Sequence, residues 1–310
     1  MHIDVLDLLG AAAGGFLGAT FGALVAFVFT GFAVLIGIAA QIGSGDPGFL
    51  NAVAFGPFFG PHISFAAGVG AVAYAYRRGW IDSGRDIVTP LVSLARPSVL
   101  LVGAGFGVFG HLVQLLAAEL GWFGSHTDTV ALAVVVSALT ARLLFGRSGV
   151  VGAHAEGHTG WRRFTPNAEH VWLAYQQRPA MALLLGTFVG GISAWAAVRL
   201  LALFPDAPGV IYAGFGVSAV SLLFLAFGVQ VPATHHITLV SAVAVSAFWP
   251  LIDGEIALLL VGAAAGAVTA LAGEVFSRFW LIRGDTHIDP PASSIWPMTT
   301  AVLAIAAVAG

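Results

Sequence analysis

Eight stretches of the chain carry no charged residue, and they dictate where it can fold: 8–45, 47–76, 97–118, 129–141, 179–198, 207–252, 256–273 and 290–310. A helix needs about 20 apolar residues to cross a hydrocarbon core of about 30 Å. Interval 207–252 is long enough to require two crossings, and 8–45 holds either two short crossings or one long tilted helix. Hydrophobic residues make up 58% of the 310-residue chain and charged residues only 9%, where soluble domains carry about 25% charged. Most of this surface cannot face water. The predicted class is therefore an all-α integral membrane protein, with a lipid bilayer as its first partner.

Several function classes fall away on composition. The formal net charge is −3 and there is no long basic run, which disfavours nucleic acid as a partner. There is no cysteine, which excludes disulfides and thiolate chemistry. The N-terminal Met-His-Ile-Asp-Val-Leu-Asp lacks the basic region of a secretory signal, so the first apolar stretch is expected to be a retained span.

Internal similarity organises the rest. Leu8-Leu9-Gly10-x3-Gly14-Gly15 recurs as Leu184-Leu185-Gly186-x3-Gly190-Gly191, and Pro61-His62-Ile63-Ser64 is echoed by His235-His236-Ile237-Thr238. Leu101-Val102-Gly103-x3-Gly107 matches Leu260-Val261-Gly262-x3-Gly266, and Ser125-His126-Thr127-Asp128 matches Thr286-His287-Ile288-Asp289. The offsets are 176, 174, 159 and 161 residues, with one length difference of 15 around the Arg-rich segment 77–96. Four ordered matches predict a tandem duplication: a first membrane repeat at 1–147, a polar linker at 148–178 and a second membrane repeat at 179–310.

Charge sets the expected topology. Arginines cluster at 77–96, 142–178 and 278–283, and cytoplasmic loops are enriched in such residues. Even numbers of crossings separate the clusters, which places all three in the cytoplasm of a cell that holds the protein in its inner or plasma membrane. His62 and His126 then face outward while His236 and His287 face inward. Matching positions on opposite faces are what an inverted-topology repeat gives, with about five crossings per half and ten in all.

Gly10, Gly14, Gly18 and Gly22 step along one helical face, with Gly186 and Gly190 as counterparts. Small residues at this spacing let helices approach closely, between repeats or between protomers of a homo-oligomer. The stretches after His62 and His236 hold only about fifteen residues, roughly 22 Å of helix, less than the hydrocarbon core. Pro61 and Pro232 lie just upstream, where a proline suits the start of a broken or re-entrant helix. Such helix ends face solute in transporters, so His62, Ser64, His235, His236 and Thr238 are candidate pathway residues. Two ordinary tilted spans with interfacial histidines are the alternative.

His126 with Asp128, and His287 with Asp289, place two titratable groups two residues apart before an apolar helix. That pattern suits a proton relay or a divalent metal, the one cofactor these side chains admit. It equally suits plain N-capping by the aspartates. His111 and Glu274 sit inside apolar helices, where ionisable residues face a bundle interior or a pathway, although Arg278 is placed to pair with Glu274. The linker's His154, Glu156 and His158 superficially resemble a zinc-protease helix, but the glutamate is misplaced for that motif.

In general plan the organisation is similar to inverted-repeat channels and transporters such as the urea-channel and aquaporin types, without a diagnostic motif of either. The resemblance implies a channel or transporter moving a small polar solute or ion along the repeat interface. An intramembrane metal-dependent enzyme using the His/Asp/Glu set, or a structural subunit binding partner helices, are the rival readings.

Overall fold

The computed structural model describes residues 3–153 and 160–310. His154, Glu156 and His158 therefore lie outside the described residues. Among the described residues the chain is helical throughout, with no strand. Interval 8–45 resolves into two helices, α1 (Val5–Phe21) and α2 (Ala23–Ser44), broken at Gly22 with φ +85°. That backbone conformation favours glycine, so the fourth residue of the stripe ends a helix instead of extending its face. A π-helical turn at Leu50–Ala54 leads to α3 (Ser64–Arg77). Next come α4 (Pro97–Ala118), a short α5 (Gly121–Ser125) and α6 (Thr129–Phe145). After the linker follow α7 (Pro179–Leu203), α8 (Ala213–Ala226), α9 (His235–Phe248), α10 (Glu255–Phe276) and α11 (Pro290–Ala309).

Among the described residues six helices are long and apolar enough to cross a membrane: α2, α4, α7, α8 with its preceding turn, α10 with its following turn, and α11. Large apolar side chains such as Leu6, Phe16, Leu101, Phe188, Ile192, Leu260 and Val275 lie exposed on α1, α4, α7 and α10. A water-soluble surface rarely carries so much contiguous apolar area, whereas lipid accepts it.

α3 and α9 sit at the centre. Residues 64–73 of α3 and 235–242 of α9 are buried without interruption, which covers every face of each helix. A helix that is apolar all round belongs in a core. Each has 14 residues, about 21 Å of rise, well short of the hydrocarbon thickness. α3 is enclosed by α1, α2, α4 and α6, and α9 by α7, α8, α10 and α11.

Close backbone approach holds the outer helices to one another. A Cβ on Gly15 would lie 2.5 Å from the Gly103 carbonyl oxygen, and one on Gly266 would lie 2.9 Å from the Gly190 Cα. Thus α1 meets α4, and α7 meets α10, glycine to glycine. The α1 stripe is spent inside the chain. Gly10 and Gly14 pack on Pro57, and Gly18 packs on the Ser64 backbone.

Two helix pairs join the helices before the linker to those after it. Gly31 of α2 meets Ala219 and Val220 of α8, while Gly216 meets Val34 and Leu35, so the pair is antiparallel. Further along, the Gly209 N–H donates to Gln41 Oε1 at 3.0 Å. α6 and α11 are also antiparallel: Thr127 Oγ1 bonds Thr300 Oγ1 at 2.7 Å, and Arg142 Nε donates to Thr286 Oγ1 at 2.9 Å.

The three arginine-bearing segments meet at one end. Arg142 is 1% exposed and also donates to the Val150, Trp280 and Thr286 carbonyls. Arg85 reaches the Leu281 and Ile282 carbonyls, and Arg283 donates to the Arg163 carbonyl. The strand-like segment before α11 is held in addition by the His287 N–H, which donates to the Gly84 carbonyl at 3.1 Å.

Candidate functional site between the two helical sets

A cavity of about 520 Å³ lies where the two sets of helices meet, lined from α2, α3, α6, α8, α9 and α11. Its wall is mostly apolar with a small number of polar groups, the usual character of a ligand site. Four of the candidate residues line it: Asp128, His235, His287 and Asp289.

The two aspartates arrive by the same local device. Asp128 is the N-cap of α6 and its Oδ1 accepts from the Ala131 N–H at 2.7 Å. Asp289 is the N-cap of α11 and its Oδ2 accepts from the Ala292 N–H at 2.8 Å. Capping is therefore real at both positions, and it fixes each carboxylate at a helix N-terminus, where the dipole favours negative charge. The second oxygen of Asp289 accepts from His287 Nε2 at 3.3 Å. The His–Asp convergence expected from sequence thus occurs at 287 and 289. It does not occur at 126 and 128, because His126 turns to the Trp122 carbonyl at 2.8 Å and stacks on the Trp122 ring at 4.3 Å.

His235 opens α9 against two phenylalanines, with ring centroids 4.7 Å from Phe27 and 6.1 Å from Phe215. It is 6% exposed, and its Nδ1 has no hydrogen-bond partner among the described residues. His236 is fully buried behind it, its ring 6.3 Å from Trp172, with neither nitrogen partnered among those residues.

The remaining candidates stand away from the cavity wall. His62 is buried beside Gly60, and its carbonyl lies against Gly110, the residue before His111 on α4. In the other half Gly273, the residue before Glu274 on α10, lies against the His236 ring. His111 and Glu274 are both buried within their helices. Ser64 Oγ donates to the Phe59 carbonyl at 3.2 Å, and Thr238 Oγ1 donates to Ser218 Oγ at 3.3 Å, both as internal ties. Arg278 donates to the Gln177 carbonyl at 3.0 Å. Among the described residues there is no group of three or more His, Cys, Asp or Glu spaced to hold a metal ion.

Sequence reasoning missed most of the wall. Phe27, Phe55, Phe65, Trp172, Tyr212 and Phe215 all line the cavity. A tryptophan in the polar linker was the one available signal, since a large apolar ring there seeks a pocket. Arg142 was also missed as an anchor, because a lone arginine near a helix end reads as a boundary.

Positions matched at the sequence offsets face the cavity together. Pro61 and His235, Phe65 and Leu239, Asp128 and Asp289, and Val134 and Ile295 are pairs of which both members line it.

Fold and site together define an all-helical chain with membrane-spanning helices around a central, mostly apolar cavity. The chain belongs to a family of unknown function (DUF7973), whose profile matches residues 1–310. No curated protein and no solved structure matches it.

Proposed function

We propose that the protein moves a small polar solute or ion across a membrane, through the cavity at the interface of two inverted-topology halves. The observation that carries this reading is the pairing of the cavity wall. Residues 174 or 161 positions apart line it together, and α6 and α11, which carry the pairs 161 apart, run antiparallel. An enzyme site gains nothing from such two-sidedness, whereas a pathway entered from two faces is built by it.

The short central helices fit the same reading. α3 and α9 are too short to cross alone, and their N-terminal ends carry Pro61 and His235 to the cavity wall. Half-helices ending at membrane depth are tolerated where they line a cavity. In this arrangement α5 stays outside the count, the segments before α3 and α9 complete their crossings, the remaining ten helices make ten passes, and the arginine-rich end faces the cytoplasm. Asp128 and Asp289 guard the two approaches, His235 and the His287–Asp289 pair offer polar groups to the solute, and His62 and His236 support the helix starts from behind.

Reconstitution into liposomes tests the reading. A panel of small amines, amides, alcohols and inorganic ions is assayed with the wild-type protein and with Asp128→Asn combined with Asp289→Asn. Flux of at least one solute in the wild type, reduced in the double variant, is the expected result. A panel without protein-dependent flux, or flux indifferent to both substitutions, overturns it.

A further inference from the structure

We propose that the central cavity binds a protonated alkyl- or arylamine, an inference that rests on the cavity being the solute pathway and names the class of solute. Three features of the wall converge on that ligand.

The first is charge. Asp128 and Asp289 both face the cavity, and no arginine is among the residues that line it. An anion would meet two carboxylates in a poorly solvated space, while a cation would be drawn in and held. The helix N-termini that the aspartates cap offset their charge only in part, since each cap uses a single carboxylate oxygen, and the second oxygen of Asp289 is met by His287.

The second is a continuous aromatic wall. Phe65 lies 5.8 Å from Phe27, Phe27 lies 5.8 Å from Phe215, Phe215 lies 6.0 Å from Phe55, and Phe55 lies 5.0 Å from Tyr212, centroid to centroid. All five line the cavity. Ring faces attract cations, most strongly when the cation is desolvated, and they also accept the hydrocarbon part of an amine. Aromatic rings beside carboxylates form a site selective for an organic cation over a hydrated metal ion, which needs oxygen ligands on every side.

The third is a buried imidazole with an unpartnered nitrogen. His235 lines the cavity, is more than nine-tenths buried and leaves Nδ1 without a partner among the described residues. A buried ring nitrogen left unmet is costly, and a turn of the imidazole that offers its lone pair to the cavity would meet an ammonium N–H lying over Phe27. A quaternary ammonium has no such proton. The site therefore prefers an amine that retains at least one N–H.

Titration calorimetry on the full chain in detergent tests this without any transport assay. The probes are phenethylamine, its neutral counterpart phenethyl alcohol and the anion phenylacetate, at neutral pH. The amine is expected to bind roughly tenfold or more tightly than either of the others. Asp289→Asn, at the carboxylate beside His235, should weaken the amine by a similar factor and Asp128→Asn by less, because asparagine caps a helix as well as aspartate and removes only the charge. Asp4→Asn, at the exposed cap of α1, should leave it unchanged. Equal binding of alcohol and amine in the wild type, which requires no variant to fold, would overturn the inference. So would amine binding indifferent to both cavity aspartates. Flux of some other solute alongside either result would leave the pathway standing and remove only the amine.

Discussion

Asp128 and Asp289 cap two antiparallel helices and face one cavity, so a single residue type at each position sets both helix stability and the charge of the cavity. The two effects separate by substitution. Alanine at either position should cost about 1 kcal/mol through the lost cap, while asparagine should leave stability near wild type. Both substitutions should reduce flux. Denaturant titration of the detergent-solubilised protein beside a flux assay reads the two effects independently.

Arg142 should matter more to stability than any surface arginine. Its guanidinium is buried and donates to Thr286 and to the Val150 and Trp280 carbonyls, joining α6 to the segment that positions His287. Arg142→Ala should destabilise by about 3 kcal/mol or more, since charged hydrogen bonds contribute about 1.5–3 kcal/mol each and the carbonyls are left unmet. Arg199, whose ion pair with Glu255 at 2.9 Å is half-exposed, should cost less than about 1 kcal/mol on the same substitution. Thermal melting of both variants makes the comparison.

Gly18 and Gly105 offer a matched pair in packing. A Cβ on Gly18 would run into the Ser64 backbone at the start of α3, whereas one on Gly105 meets nothing within 4 Å. Gly18→Ala should destabilise by about 1–3 kcal/mol through overpacking. Gly105→Ala should be neutral or stabilising by about 0.5–1 kcal/mol, because alanine is the better helix former. The same melting experiment distinguishes them.

Trp172 closes the cavity from the linker, whose neighbouring residues are tied down. Tyr175 Oη donates to the Val231 carbonyl at 2.6 Å, and Gln176 bonds both the N–H and the carbonyl of Ala233. Trp172→Ala should open the arginine-rich end without unfolding the protein. A cysteine placed by Ala292→Cys on the cavity wall should then react faster with a water-soluble thiol reagent. An unchanged rate would show that Trp172 does not seal the cavity.

The helices were legible in the sequence because charge is excluded from lipid: 207–252 divides as its length requires, and 8–45 takes the two-helix alternative. Interval 129–141 misleads in one respect. α6 continues to Phe145, since Arg142 is satisfied by carbonyls and so does not end the helix. The site was legible in part. The His and Asp positions marked by internal similarity do reach the cavity at 128, 235, 287 and 289. The partner positions diverge for physical reasons: proline stands at 61 where the other half has His235, and His126 finds Trp122 close enough to stack on. The aromatic wall carried no signal, because a phenylalanine in an apolar span reads the same whether it faces lipid, core or cavity.

Because the natural chain has no cysteine, single-cysteine labelling in sealed vesicles addresses the pathway directly. Thr299→Cys and Ala292→Cys place a thiol on the cavity wall, and Ala73→Cys, fully buried on α3 away from it, serves as control. A pathway predicts that a membrane-impermeant maleimide added to either face labels at least one cavity cysteine and spares the control. Cavity cysteines as unreactive as Ala73→Cys from both faces would contradict it.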